Sequence, residues 1–321
     1  MKLVLILAIF LFHSCKRHNE IPIQISRLEQ SLFSLHVDSI RDAVPHLKQQ
    51  YGSLLDMLSF ELNIAAPDNP EYPEELASFI TYPDMVFTYE KVMEFFPDIN
   101  DIEKGLGRAF YNYGKEFPDR DIPSVYTLIS GFNSKWFVGD DIVAIALDGY
   151  LGRDEDIYFM LQLPNYERHL RERKYIVPDC MNVWISTEFP LDLSTNDVLS
   201  NIIYHGKIMY ALHRLLPSTP DSLIFGFTPA QMRWCRNNTA QMWTFLVENK
   251  LLFETDQFTI NKLVAPAPFT STFTRESPGR AVYWLGYSIV ASYMRREKVT
   301  LEELFLNDDY QQILAKARFR P

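Results

Sequence analysis

The sequence predicts a mainly helical α+β fold, one domain with a small antiparallel sheet, and three observations carry that expectation. Of 321 residues, 47% are apolar and 14% aromatic; a chain this long buries roughly three quarters of the surface its unfolded form exposes. Only 12 residues are glycine, below the usual share of about 7%, which disfavours folds built on Gly-rich phosphate loops and tight hairpins. Through most of the chain apolar residues recur three and four apart, the period of a helix with one buried face.

The first element is an export signal. Met1 and Lys2 precede ten uninterrupted apolar residues, Leu3 to Phe12, then His13, Ser14 and Cys15. Ten residues at about 1.5 Å each span half a bilayer's hydrocarbon, which suits a signal-peptide core and not a membrane-spanning helix. A cysteine directly after that core resembles a bacterial lipoprotein signal. Residues 1–14 are then the cleaved signal, Cys15 is the acylated residue that holds the chain to a lipid bilayer, 15–22 is a tether and 23–321 is the domain. Several acyl chains on one residue exceed the marginal binding of a single chain. The basic Lys16 and Arg17 point to the periplasmic face. Losing Lys2 takes the formal charge from −10 to 30 − 41 = −11. Such an acidic chain does not suit nucleic acid, whose affinity comes from clustered Lys and Arg.

The periodicity predicts helices over 26–35, 39–51 with a break or kink at Pro45, and 52–64, followed by a proline-rich break at 66–70. It resumes over 84–96 and 98–117. Residues 124–129 and 141–147, rich in Val and Ile, read as an antiparallel strand pair. An irregular or helical stretch over 158–173 follows, then helices over 196–216, 229–248 and 278–297, with two more starting at Thr300 and Asp308. The apolar run 281–294 contains Gly286, Ser288 and Ser292 and reads as a buried helix.

Catalytic motifs are scarce. Gly105 and Gly107 lack the third glycine and the strand-to-helix context of a dinucleotide fingerprint. There is no G-x-S-x-G, C-x-x-C or H-E-x-x-H. Asp148, Asp154, Glu155 and Asp156 cluster around Gly149 and Gly152 but not in the order of a calcium loop. His205 and His213 stand about 12 Å apart along one helix, too far to share a metal. Cys180 and Cys235 are a disulfide in an oxidising envelope or two separate buried thiols; their spacing does not decide. In the 196–216 helix, Gly206 lies at the centre of the apolar stripe. Glycine there costs about 1 kcal/mol relative to alanine, so the position calls for close approach of another backbone. Lys207 lies at the stripe's edge, its stem buried and its ammonium seeking a carboxylate or carbonyl.

An ordered set of pieces resembles the gliding-motility lipoprotein GldB family: Leu147-Asp148, Tyr150-Leu151-Gly152, Gly206-Lys207 with Tyr210, Leu215-Leu216-Pro217 with Pro220-Asp221, Phe227-Thr228-Pro229 and Trp234-Cys235 with Trp243. The same order continues through Ala267-Pro268-Phe269, Glu276-Ser277-Pro278-Gly279-Arg280, Trp284, Gly286-Tyr287, Ile289-Val290 and Tyr293-Met294. The likeness runs from about residue 80 to 318. It implies an envelope lipoprotein of Bacteroidota tied to movement over surfaces, with other envelope or motility proteins as partners, no cofactor and no established catalysis. Gly206, Lys207, Tyr210, Pro278, Gly279 and Arg280 are its candidate structural or interaction residues. A more distant similarity, to zinc peptidases, sets Gly206 to Tyr210 where those proteins carry H-E-x-x-H, and implies a degenerate zincin-like core without zinc, a pseudo-enzyme that binds a peptide. Two rivals stay open: an envelope hydrolase using the 148–156 carboxylates with His169 or His205, and a carrier of small apolar ligands.

Overall fold

Four strands, β1 (Ser26–Arg27), β2 (Ser124–Leu128), β3 (Trp136–Val138) and β4 (Ile142–Ala146), form one mixed sheet in the order β1-β2-β4-β3. The computed structural model describes residues 19–321, so the signal segment, Cys15 and residues 16–18 of the tether lie outside the described residues. The expected antiparallel pairing of 124–129 with 141–147 is corrected. β2 runs parallel to β4, with Ser124 opposite Ile142 and Leu128 opposite Ala146. The linking segment, about a dozen residues, is long enough for a crossover. Within it β3 pairs antiparallel with β4. All five residues of β4, Ile-Val-Ala-Ile-Ala, are buried, the unbroken apolar run of a strand covered on both faces.

Two helical layers do the covering. Leu128, Ile142, Ala144 and Ala146 pack against α1 (Leu28–Phe33), α2 (Ile40–Tyr51), α3 (Ser53–Leu62) and α4 (Tyr72–Thr81). Val125, Ile129, Val143 and Ile145 face the larger core, which includes α5 (Pro83–Phe95) and α6 (Asn100–Glu116). The segment expected to begin a helix at 26 spends Ser26 and Arg27 as an edge strand on Tyr126 and Thr127. α2 runs through Pro45. α4, missed after the 66–70 break, starts with Pro73 in its first turn, where the missing N–H costs nothing.

After β4 come two short helices, α7 (Asp156–Met160) and α8 (Asn165–Arg168), then α9 (Ile176–Glu188) and the long α10 (Val198–Leu215). α10 opens on a capping box: the Ser200 N–H donates to Asp197 Oδ1 at 2.7 Å and the Asp197 N–H to Ser200 Oγ at 2.9 Å. α11 (Asp221–Ile224) leads to α12 (Pro229–Asn237) and α13 (Thr239–Glu248), so the single helix expected over 229–248 is two. They part at Asn238, whose side chain donates back to the Trp234 carbonyl at 2.8 Å. α14 (Gln257–Val264), α15 (Val282–Glu297), α16 (Leu301–Leu306) and α17 (Tyr310–Ala317) complete the chain. α15 begins at Val282, four residues later than expected, because Pro278 to Arg280 form a pinned loop. Cys180 on α9 and Cys235 on α12 are separate buried free thiols. The disulfide left open for them is not formed, since each faces the core from its own helix, and burial pushes each thiol up to about 12. No helix among the described residues is long and apolar enough to cross a membrane.

Candidate functional site

α10 is buried along nearly its whole length, and its neighbours decide what each singled-out residue does. A Cβ on Gly206 would lie 2.2 Å from the carbonyl carbon of Gly286 on α15, and a Cβ on Gly286 would lie 1.9 Å from the Ile202 oxygen. The two helices therefore meet backbone to backbone, which only glycine permits. Lys207 is 1% exposed. Its ammonium donates to the carbonyls of Asn307 at 2.7 Å and Phe305 at 3.5 Å, at the C-terminal end of α16, and sits 4.9 Å from the centre of the Tyr310 ring. Burial pushes its pKa down to about 8 against the pull of Asp308. Tyr210 packs on Tyr287. These three residues act inside the fold. Lys207→Ala is therefore expected to cost about 3 kcal/mol, a charge-assisted cap lost and a buried stem deleted, read from urea unfolding; an unchanged midpoint would contradict the cap.

Another face of the same helix, carrying His205 and Met209, borders a cleft of about 940 Å³. Positions 205 and 209 face it, not the Gly206 and Tyr210 that the zinc-peptidase likeness would place there. The cleft lies between α9, α10, the segment around 164–171, the turn at Gly226 and the Pro278 loop. That loop is held from within. Thr270, fully buried, donates from Oγ1 to the Pro278 carbonyl at 2.7 Å and accepts from the Ala281 N–H at 3.0 Å. Ser277 Oγ donates to the Thr274 carbonyl at 2.6 Å. Gly279 presses on the chain at Ala267, whose oxygen would lie 2.0 Å from an added Cβ. Arg280 follows in the left-handed region at φ 60°, a conformation that costs a non-glycine residue energy and persists only where the surroundings impose it.

The ionisable groups of the cleft fall into two kinds. Some are tied up. Lys135 Nζ lies 2.6 Å from Asp179 Oδ2, which also accepts from the Tyr150 hydroxyl at 2.8 Å. The ammonium is flanked by the rings of Trp136 and Tyr150, at 4.7 and 4.6 Å. His169 Nε2 and the Tyr175 hydroxyl are 2.8 Å apart. His205 stacks on Tyr283 at 4.1 Å between ring centres, and the Tyr283 hydroxyl, which donates to the Val264 carbonyl at 3.2 Å, lies 3.3 Å from His205 Nε2. Burial, with Arg280 nearby, lowers the His205 pKa to about 3, so the ring is neutral at physiological pH. Others lack an acidic partner. Arg171 and Arg280 border the cleft without a carboxylate partner among the described residues, and make ring contacts to Tyr158 and Tyr283.

The carboxylates of 148–156 do not come together. Asp148 is fully buried and accepts from the backbone of Ser130 and Phe132, Glu155 lies 3.9 Å from Lys91, and Asp154 is exposed beside Arg153. His169 and His205 border the cleft, but none of those four carboxylates does. His213, on the far part of α10, lies 3.3 Å from Asp221 of α11. Among the described residues no three His, Cys, Asp or Glu side chains are placed to hold a metal. Lys135, Arg171 and Asp179 had no motif to announce them; they come from three separate segments. Arg280 alone among the cleft's charges carried a signal, the Pro-Gly before it.

A family model described as gliding motility protein GldB matches residues 14–321. No curated protein and no solved structure matches the chain.

Proposed function

The chain belongs to the gliding motility protein GldB family, and from that membership we propose that it is a membrane-tethered, non-catalytic lipoprotein of the gliding machinery or of associated cell-envelope machinery. The family match over residues 14–321 carries the reading: it takes in Cys15 and leaves out the apolar run before it. Acyl chains on Cys15 moor the mature chain to a bilayer, the basic Lys16 and Arg17 favour the periplasmic side, and the domain presents its surfaces to other envelope or motility proteins. The arrangement of the cleft supports a binding role over a catalytic one. Acid–base catalysis needs a positioned base, and here Asp179 is held by Lys135 and Tyr150, His205 is stacked on Tyr283 and His169 is bonded to Tyr175. Among the described residues this leaves Glu167 alone at the border, with no second free carboxylate or imidazole beside it.

The test is a deletion strain complemented with wild type or with Cys15→Ala, scored for colony spreading and protein secretion. Cys15→Ala is expected to leave a folded, soluble protein that no longer sediments with membranes and does not restore spreading. Membrane fractionation like that of wild type would refute the anchor. Stoichiometric zinc in the purified protein, or a substrate turned over, would refute the non-catalytic role.

A further inference from the structure

On a chain with a formal charge of −10, the cleft beside α10 is locally positive: Lys135, Arg153, Arg171 and Arg280 border it against Glu167 and Asp179, a balance of 4 − 2 = +2. Two of those arginines, Arg171 and Arg280, are each close enough to Lys135 to act on it. Arg171 and Arg280 both hold the Lys135 pKa down, on top of the larger effect of its burial, while the one carboxylate beside it, Asp179, pulls the other way. Like charges held together repel, and a concave site bounded by apolar walls focuses that field on whatever enters. The walls here are Leu170, Val183, Met209, Ile224, Phe225 and Phe227. The backbone on either side of Arg280 is fixed by the Thr270 clamp, and its guanidinium, which has no carboxylate partner among the described residues, lies 5.5 Å from the centre of the Tyr283 ring. Opposite it the turn at Gly226 is so close that an added Cβ would lie 3.6 Å from Arg280 Nη2.

We infer that this cleft binds a short peptide segment of a partner protein through a carboxylate held by Arg280 and Arg171, with the peptide's apolar side chains on the floor formed by Met209, Phe225 and Phe227. The inference rests on the non-catalytic reading above and names what the domain would recognise. Guanidinium matches a carboxylate with two parallel N–H···O bonds. A peptide carboxylate suits the site better than free phosphate, because phosphate would leave the apolar walls of Met209, Phe225 and Phe227 uncovered. The side-chain N–H groups of Asn182 and Gln231, whose oxygens are taken by Ser186 and by the α12 capping box, border the cleft and offer donors to a peptide backbone.

The experiment uses the full acylated chain in detergent and an array of hexapeptides in four forms: free C-terminus, amidated C-terminus, internal Asp or Glu, and the same with Asn or Gln. Capture of carboxylate-bearing peptides, by the chain end or by an acidic side chain, is expected, with loss on amidation or on Asn/Gln exchange telling which source is used. Arg280→Gln and, separately, Arg171→Gln should each weaken binding about tenfold, one charge-assisted hydrogen bond lost, with thermal unfolding unchanged in at least Arg171→Gln. Capture that ignores the carboxylate, survives both substitutions, is displaced by millimolar inorganic phosphate as readily as by free peptide, or never rises above background would overturn the inference. None of those results touches the anchor, which the Cys15→Ala fractionation decides alone.

Discussion

Gly286→Val is expected to abolish native folding. The first branch point of the new side chain would stand 1.9 Å from the Ile202 oxygen and 2.9 Å from its carbonyl carbon, and both are backbone atoms of α10, locked in the hydrogen-bond ladder of a buried helix. A flexible side chain could rotate away; a helix backbone cannot. Overpacking ordinarily costs about 1–3 kcal/mol where side chains can adjust. Here two helices must separate and open the contact on both sides of the crossing, so more than about 4 kcal/mol is expected, a large part of the whole stability of a domain. Gly206→Val meets the same contact from the other side, 2.2 Å from the Gly286 carbonyl carbon, and should fail in the same way. Gly114→Ala is the control. It sits in α6 with nothing within 4 Å of the added Cβ, and alanine in a helix should stabilise by about 1 kcal/mol. Circular dichroism of the three variants reads the comparison; a Gly286→Val protein melting like wild type would mean that α10 and α15 do not meet at this pair.

That pair also marks the reach of local sequence information. Gly206 could be found because its cost is local: a glycine at the centre of an apolar helical stripe requires a reason. Its partner could not, because Gly286 lies 80 positions later in another helix and periodicity carries no information across that interval. The strands behaved similarly. Residues 124–128 and 142–146 were legible from composition, but their direction depends on the path of the chain between them, and β3 inside that link decided it. The position of Lys207 at the stripe's edge predicts an ammonium seeking a carboxylate or carbonyl, and it caps α16; packing decides that the carbonyls are those of Asn307 and Phe305. The cleft was least visible. Asp179 and Lys135 meet from a helix and a strand edge, Arg171 comes from a loop, and each taken alone looks like an ordinary solvated charge.

Asp148→Ala should be the next most damaging change, and its pH dependence distinguishes its cause. The carboxylate is fully buried and closes the loop after β2: Oδ2 accepts from the Phe132 N–H at 2.7 Å and Oδ1 from the Ser130 N–H at 3.2 Å, with the Ser130 hydroxyl 3.3 Å away. Between those donors the backbone is left-handed at Gly131 and at Phe132, φ 68° and 66°, a conformation that Phe132 keeps only while something holds it. Removing the carboxylate orphans two buried N–H groups at about 1–3 kcal/mol each, so a loss of about 3–4 kcal/mol is expected. Because Lys135 follows directly in the chain, the released loop would also loosen one wall of the cleft. Burial raises the Asp148 pKa from 3.8 to about 6, so the folded protein binds this proton more tightly than the unfolded chain does. Stability from the group is then fully present below about pH 3.8 and is lost as pH rises through about 6. The unfolding free energy of wild type minus that of Asp148→Asn, which cannot titrate, should therefore rise as pH falls from 7 to 4, by about 3 kcal/mol at most. Urea unfolding of both proteins across that range measures it. A constant gap would mean that the loop's donors hold the carboxylate ionised, with hydrogen bonding outweighing desolvation at this site.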